Sequence, residues 1–147
     1  MTIQLTGHAA PEYTAILTPA ALDFIAELVQ TYKTSHKTYL DEYATIADAD
    51  CPDDDTYAVN AADMDHIINA VTGGAPLIIA DFEDCTPLTF EDLLRGQTNL
   101  RDLTRFNVDY QDQAGHWHPL LPENVPALLV RPRALTRPEH HMTVDGE

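Results

Sequence analysis

Apolar side chains first recur at helical spacing: Leu22, Ile25, Leu28, Val29 and Tyr32 fall on one stripe, which predicts an amphipathic helix packed along that face. Thr18-Pro19 marks its start, because a threonine hydroxyl caps free helical amides and proline suits the first helical position. The pattern carries the helix to about Tyr43, and residues 1–15 before it read as a loose lead-in. Asp63 predicts the cap of a short second helix in which Met64, Ile67, Ile68 and Val71 share a face and Gly73-Gly74 makes the stop. The period then changes. Leu77-Ile78-Ile79-Ala80-Asp81 is an apolar run without alternation, as in a strand buried on both faces of a parallel sheet, and ALLVRPR (127–133) reads as a second such strand. Between them Thr89 opens FEDLLR, with Asp92 at the capping-box position and Gly96 as the close, and NLRDLTR predicts a further short helix. NVDY and HWHPL around QDQAG predict a β-hairpin. Strand, helix and strand joined by a long right-handed crossover define an α/β fold.

Composition narrows the function classes. The 147 residues, 44% of them hydrophobic, suffice for a domain with a core. The net charge of −16, from 24 acidic and 8 basic residues, repels phosphate backbones and anionic membrane surfaces, so no nucleic-acid or membrane partner is expected. No apolar run approaches the roughly 20 residues of a membrane span. The N-terminus has no charged and apolar regions of a signal peptide. Cys51 and Cys85 build neither a disulfide framework nor a CxxC site, and a reducing cytoplasm is the expected location. ADADCPDDDT (47–56) reads as an acidic linker; its aspartates lack the glycine and closing glutamate of a calcium loop.

The candidate chemistry sits where the two apolar runs end. If the first strand continues through residue 84, Asp81 and Glu83 point one way and Phe82 and Asp84 the other; Arg131 and Arg133 share a face on the second strand. Pro132 places Arg131 where that strand leaves the sheet. Active sites of parallel α/β sheets and barrels lie at such carboxyl ends, although the same charges would equally form a structural acid–arginine bridge at a strand mouth. Elsewhere the signals are weaker. His116-x-His118 and Glu139-His140-His141 show no third zinc ligand at a recognisable spacing and read as hairpin and surface groups. Ser35, the only serine, has no GxSxG around it, and no glycine-rich phosphate loop is present.

LIIADFEDCTPLTFEDLLRGQTNLRDL (77–103) resembles the malate synthase segment ADFEDS-x-x-P-x-W-x-N-x-x-x-GQ-x-NL-x-DA. HIINAVTGGAP looks like that family's helix leading into the first barrel strand. ALLVRPRALTRPEHHMTVDGE resembles its next strand, which carries an RPRG-like motif followed by LPEKH and VDGE, and ILTPAALDFIAELVQTY looks like its N-terminal helical clasp. The resemblance spans nearly the whole chain and implies a helical clasp with an acidic linker over 1–56, then, over 57–147, the first two strands and βα units of a (β/α)8 barrel with a hairpin excursion. It implies malate synthase chemistry of the glyoxylate cycle, the condensation of acetyl-CoA with glyoxylate and water to give malate and CoA, with Mg²⁺ as cofactor. By position in RPR, Arg131 matches the family's catalytic arginine. Asp81, Glu83, Asp84 and Arg133 match the substrate and cofactor side of the site, Glu83 with an outer-shell role toward the metal; the direct metal ligands and the catalytic base lie beyond the matched region.

The sequence also departs from the family. Cys85 stands in place of Ser, Ala134 in place of Gly, and Phe90 near the usual Trp; DDDTYAVNAADMD (53–65) replaces an RRVEITGP-like segment that helps bind CoA. A (β/α)8 barrel takes about 250 residues, so the expectation is an N-terminal portion, from a truncated or split reading frame, that does not turn over alone; in the split variant a second polypeptide completes the barrel. The alternative is a stand-alone α/β module that binds an acyl-CoA or an oxo-acid without catalysis.

Overall fold

The computed structural model describes residues 3–7, 9–43, 57–86, 89–134 and 136–146. The linker expected at 47–56, with its aspartates and Cys51, lies outside the described residues. Two units emerge: residues 55–133, and residues 1–54 together with 134–147. The C-terminal stretch joins the first unit because of strand pairing. Strand β1 (Ile3–Leu5) runs antiparallel to β7 (Met142–Val144), in the register Ile3↔Val144. The predicted loose lead-in therefore contains a strand, and a 3₁₀ turn follows over Pro11–Ala15.

Helix α1 spans Pro19–Tyr43, and the Ala21 amide donates to the Thr18 hydroxyl at 3.1 Å, as the cap pattern predicts. Its stripe is less packed than its periodicity implies. Leu22 and Ile25 are half-buried, whereas Leu28 and Val29 are each 39% exposed and Tyr32 is 57% exposed. Periodicity fixes which side chains share a face; only a neighbouring element can cover that face.

The second unit is built around three parallel strands in the order β2 (Tyr57–Asn60), β3 (Leu77–Asp81), β6 (Ala127–Arg131). Strand β2 is one more than the sequence pattern predicts. It is four residues long and follows the acidic segment, too short for a period to show, and its pairing with β3 stabilises it. Helix α2 (Met64–Thr72) follows β2 and α3 (Phe90–Thr104) follows β3. Asp63 caps α2 by accepting from the His66 amide at 3.0 Å, and Gly73 and Gly74 end it, Gly74 at a φ of 79°. Ile78 is buried in one cluster with Ile67, Ile68 and Val71 of α2 and Leu103 of α3, and Ala80 in another with Ala61, Phe82 and Leu93. The opposite face carries the register row Ala58, Ile79 and Leu129; Ile79 is half-buried and the other two are exposed. Strand β6 is an edge strand rather than a second buried one, with Leu129 and Val130 about half exposed (52% and 51%). Among the described residues the sheet does not close on itself.

Two further expectations change. The helix after Thr89 runs unbroken through Gly96, where two short helices were predicted. Gly96 is a packing position: a Cβ there would lie 2.6 Å from Phe82 Cε1 and 3.2 Å from Ala61 Cβ. The hairpin forms as predicted, β4 (Asp109–Gln111) against β5 (Trp117–Pro119), and the Leu120 amide closes its base on the Val108 carbonyl at 2.9 Å.

Candidate functional site

The last residues of the three parallel strands stand in one register row, Asn60↔Asp81↔Arg131. Side chains at one register level of adjacent strands lie on the same face, so this row tops the face that carries Ala58, Ile79 and Leu129. Beyond it the first strand does not continue to 84: it ends at Asp81, and residues 82–85 turn. The Asp81 carboxylate causes that turn. Its Oδ1 accepts from the Glu83 amide at 2.8 Å and the Asp84 amide at 3.2 Å, the local backbone bonding that makes aspartate a turn former. The expected alternation along 81–84 is therefore absent, and Asp81 and Asp84 converge on one guanidinium. Arg131 Nη1 donates to Asp81 Oδ2 at 3.1 Å and to Asp84 Oδ2 at 2.6 Å.

Burial separates the roles of these groups. The Asp81 side chain is 4% exposed, Arg131 50% and Asp84 59%. Glu83 is half-buried, and so is Arg133, which lies beyond the end of β6. Burial of Asp81 opposes its ionisation, but the amides of Glu83 and Asp84, the Arg131 charge and the Cys85 thiol together hold its carboxyl below the usual carboxylate range. Cys85, although an exposed residue, has its thiol pushed up by desolvation of the sulfur and by the carboxylates of Asp81 and Asp84. It is a poor nucleophile and a weak donor to Asp81. The hydrogen bond to Asp84 and the charges of both aspartates hold Arg131 protonated still more firmly than usual. Both of its bonds use Nη1; among the described residues Nε and Nη2 make none. An anchored, half-exposed guanidinium with open donors can receive an oxyanion.

Sequence reasoning missed the groups that hold the row in place. Thr86, 3% exposed, donates from Oγ1 to the Asp81 carbonyl at 2.7 Å and accepts from the Ala61 amide at 3.0 Å. Asn99 Nδ2 donates to the Ala61 carbonyl at 2.9 Å, and Asn60 Oδ1 accepts from the Ala62 amide at 2.9 Å. The signal for Asn99 lay in GQTNL, where it falls three residues after Gly96 on the same face of α3. Thr86 and Asn60 had none, since their partners are distant in sequence or belong to the missed strand. Beside the row, an open depression of about 450 Å³ is lined by Asn60, Asp63, Asp65, Asp92 and Arg95, without Asp81 or Arg131. Two of its carboxylates are already used: Asp63 caps α2, and Asp92 pairs with Arg95 and the Thr89 hydroxyl.

The histidines join acids locally. His118 Nε2 lies 2.9 Å and His116 Nδ1 3.5 Å from Asp112 Oδ2, and His141 Nδ1 lies 2.6 Å from Glu139 Oε1. Among the described residues no group of three or more His, Cys, Asp or Glu is arranged to hold a metal ion.

Parallel βα units with charged groups at the strand carboxyl ends define the class of α/β proteins whose ligands bind above those ends. No family model matches the chain. It is 30% identical to the malate synthase of Myxococcus xanthus (strain DK1622) over 173 aligned positions, covering 99% of the chain and 32% of the relative. It is 28% identical to the glyoxysomal malate synthase of Glycine max, covering 99% of the chain and 31% of that relative. The Oryza sativa subsp. japonica malate synthase is 44% identical over 81 residues, 55% of the chain. The chain is thus homologous to malate synthases over nearly its whole length and spans about a third of theirs. The Glycine max relative is glyoxysomal by name, so the relationship does not carry the expected cytoplasmic location. No described helix is long and apolar enough to cross a membrane.

Proposed function

We propose that residues 57–147 form the start of a malate synthase (β/α)8 barrel, with residues 1–56 its helical clasp and linker, and that Arg131 is the catalytic arginine. Condensation of acetyl-CoA with glyoxylate requires the acetyl methyl to lose a proton and the resulting enolate oxygen to be stabilised. The observation that carries the proposal is the anchoring of Arg131: Nη1 is fixed by Asp81 and Asp84 at the strand mouth, while among the described residues Nε and Nη2 make no bond. A donor set already held in place stabilises developing charge without reorganising. Asp81 is too buried and too fully bonded to act as a base; it aims Arg131 and folds the turn. Glu83, Asp84 and Arg133 would face the substrates, acetyl-CoA and glyoxylate, and Glu83 would act on the family's Mg²⁺ from its outer shell. The direct ligands of that ion would come from the part of the family barrel beyond the matched region. Where the family has its RRVEITGP-like segment this chain reads DDDTYAVNAADMD, acidic in place of basic. CoA binding therefore depends on groups from the rest of the barrel.

The test is glyoxylate-dependent release of CoA in the presence of Mg²⁺, by the 147-residue chain alone and with a polypeptide supplying the remaining strands. The chain alone gives none and the complemented pair turns over. Arg131→Ala in that pair lowers kcat by about 10²- to 10³-fold, the cost of removing one oxyanion donor. Near-full turnover by the variant would remove Arg131 from the chemistry, and turnover by the unaccompanied chain would overturn the shared-barrel proposal.

A further inference from the structure

We infer that Thr86 is a positioning residue for Arg131, acting through the backbone of Asp81. The hydroxyl is buried and spends both of its bonding roles between two successive strand-end turns: it donates to the Asp81 carbonyl at 2.7 Å and accepts from the Ala61 amide at 3.0 Å. Ala61 is fully buried and follows Asn60, the end of β2; Asp81 is the end of β3 and the register partner of both Asn60 and Arg131. Thr86 therefore ties the exit of one βα unit to the exit of the next at the level of the charged row. The Asp81 carbonyl cannot move without moving its carboxylate, and that carboxylate holds Arg131 Nη1. A hydroxyl suits this place because it donates and accepts at once. A valine would fill the space but leave the buried Ala61 amide unpaired. Asn99 supplies an internal contrast: it bonds the same residue through the Ala61 carbonyl and makes no bond to Asp81 among the described residues.

Positioning of Arg131 rests on geometry alone; its catalytic consequence rests on the malate synthase proposal, and the two are read separately. The first measurement is the Nε–H resonance of Arg131 by ¹H–¹⁵N spectroscopy of the full chain. Thr86→Val lowers stability and shifts that resonance, Thr86→Ser restores it, and Asn99→Ala lowers stability without shifting it. A destabilised Thr86→Val whose Arg131 resonance stays in place overturns the inference. If Thr86→Val does not fold, hydrogen exchange of the wild-type chain decides. The Ala61, Glu83 and Asp84 amides exchange together if Thr86 locks the two turns. Glu83 and Asp84 amides exchanging more than about tenfold faster than Ala61 would show that it does not. The second measurement is turnover of the complemented pair, in which Thr86→Val lowers kcat and leaves KM. If wild-type complementation gives no turnover, the functional proposal fails while the resonance result stands.

Discussion

A single carboxylate organises the strand mouth. Asp81 accepts from two backbone amides and from Arg131 while its side chain is only 4% exposed. Because these partners outweigh burial and lower its pKa in the folded chain, Asp81 binds fewer protons folded than unfolded around pH 4. Its contribution to stability is therefore complete above the unfolded carboxylate range and is lost as pH falls through the lowered folded value. Asp81→Asn keeps an acceptor for the amides but removes the charge, so it costs about 1–3 kcal/mol at pH 7. Urea unfolding of both chains at pH 7 and at pH 3 checks this; the gap between them narrows at the lower pH. Cys85 offers a smaller test. Cys85→Ser puts a stronger donor beside Asp81 and lowers that carboxyl's pKa further, read by ¹³C titration of the Asp81 side chain.

At the scale of elements, α3 shows how packing overrides a local stop signal. Glycine costs about 1 kcal/mol in a helix interior relative to alanine, which is why Gly96 reads as an end in sequence. The close approach of Phe82 and Ala61 makes it necessary instead. Gly96→Ala thus destabilises the chain by about 1–3 kcal/mol despite its better helix propensity, and Phe82→Leu in the same chain recovers part of the loss; thermal melts of the single and double variants measure both. Much of the specificity of the ADFED and GQTNL segments is then structural. Phe82, Gly96 and Asn99 fasten one βα unit to the next, and Asp81, with Asp84, carries the link to Arg131. The order of elements was legible because caps and periods are local: Thr18, Asp63 and Thr89 all cap as their positions imply. Strand β2 was not, since four residues hold too little pattern and its stability comes from β3.

At the scale of the whole molecule, an acidic chain presents uncovered apolar surface. Leu129 and Val130 on the edge strand are each about half exposed, and the net charge is −16. Like-charge repulsion opposes edge-to-edge pairing at low salt and is screened to about 3 Å at 1 M ionic strength. The isolated chain therefore self-associates as salt rises, measured by sedimentation. Leu129→Lys, which blunts the edge, keeps it monomeric at about 1 M NaCl and weakens complementation by the remaining strands.

The sequence by itself determined the helix starts and caps, the chemical identity of the charged groups and the homology, because capping, apolar period and motif order act over a few residues. Only the tertiary structure decided that Asp81 and Asp84 share Arg131, that Asn60 joins their row and that Thr86 ties two turns together. Those relations depend on strand register, and register is set by pairing between segments tens of residues apart. The two charged runs, separate in the sequence, become one ion-paired cluster because Asp81 and Arg131 end parallel strands at the same level.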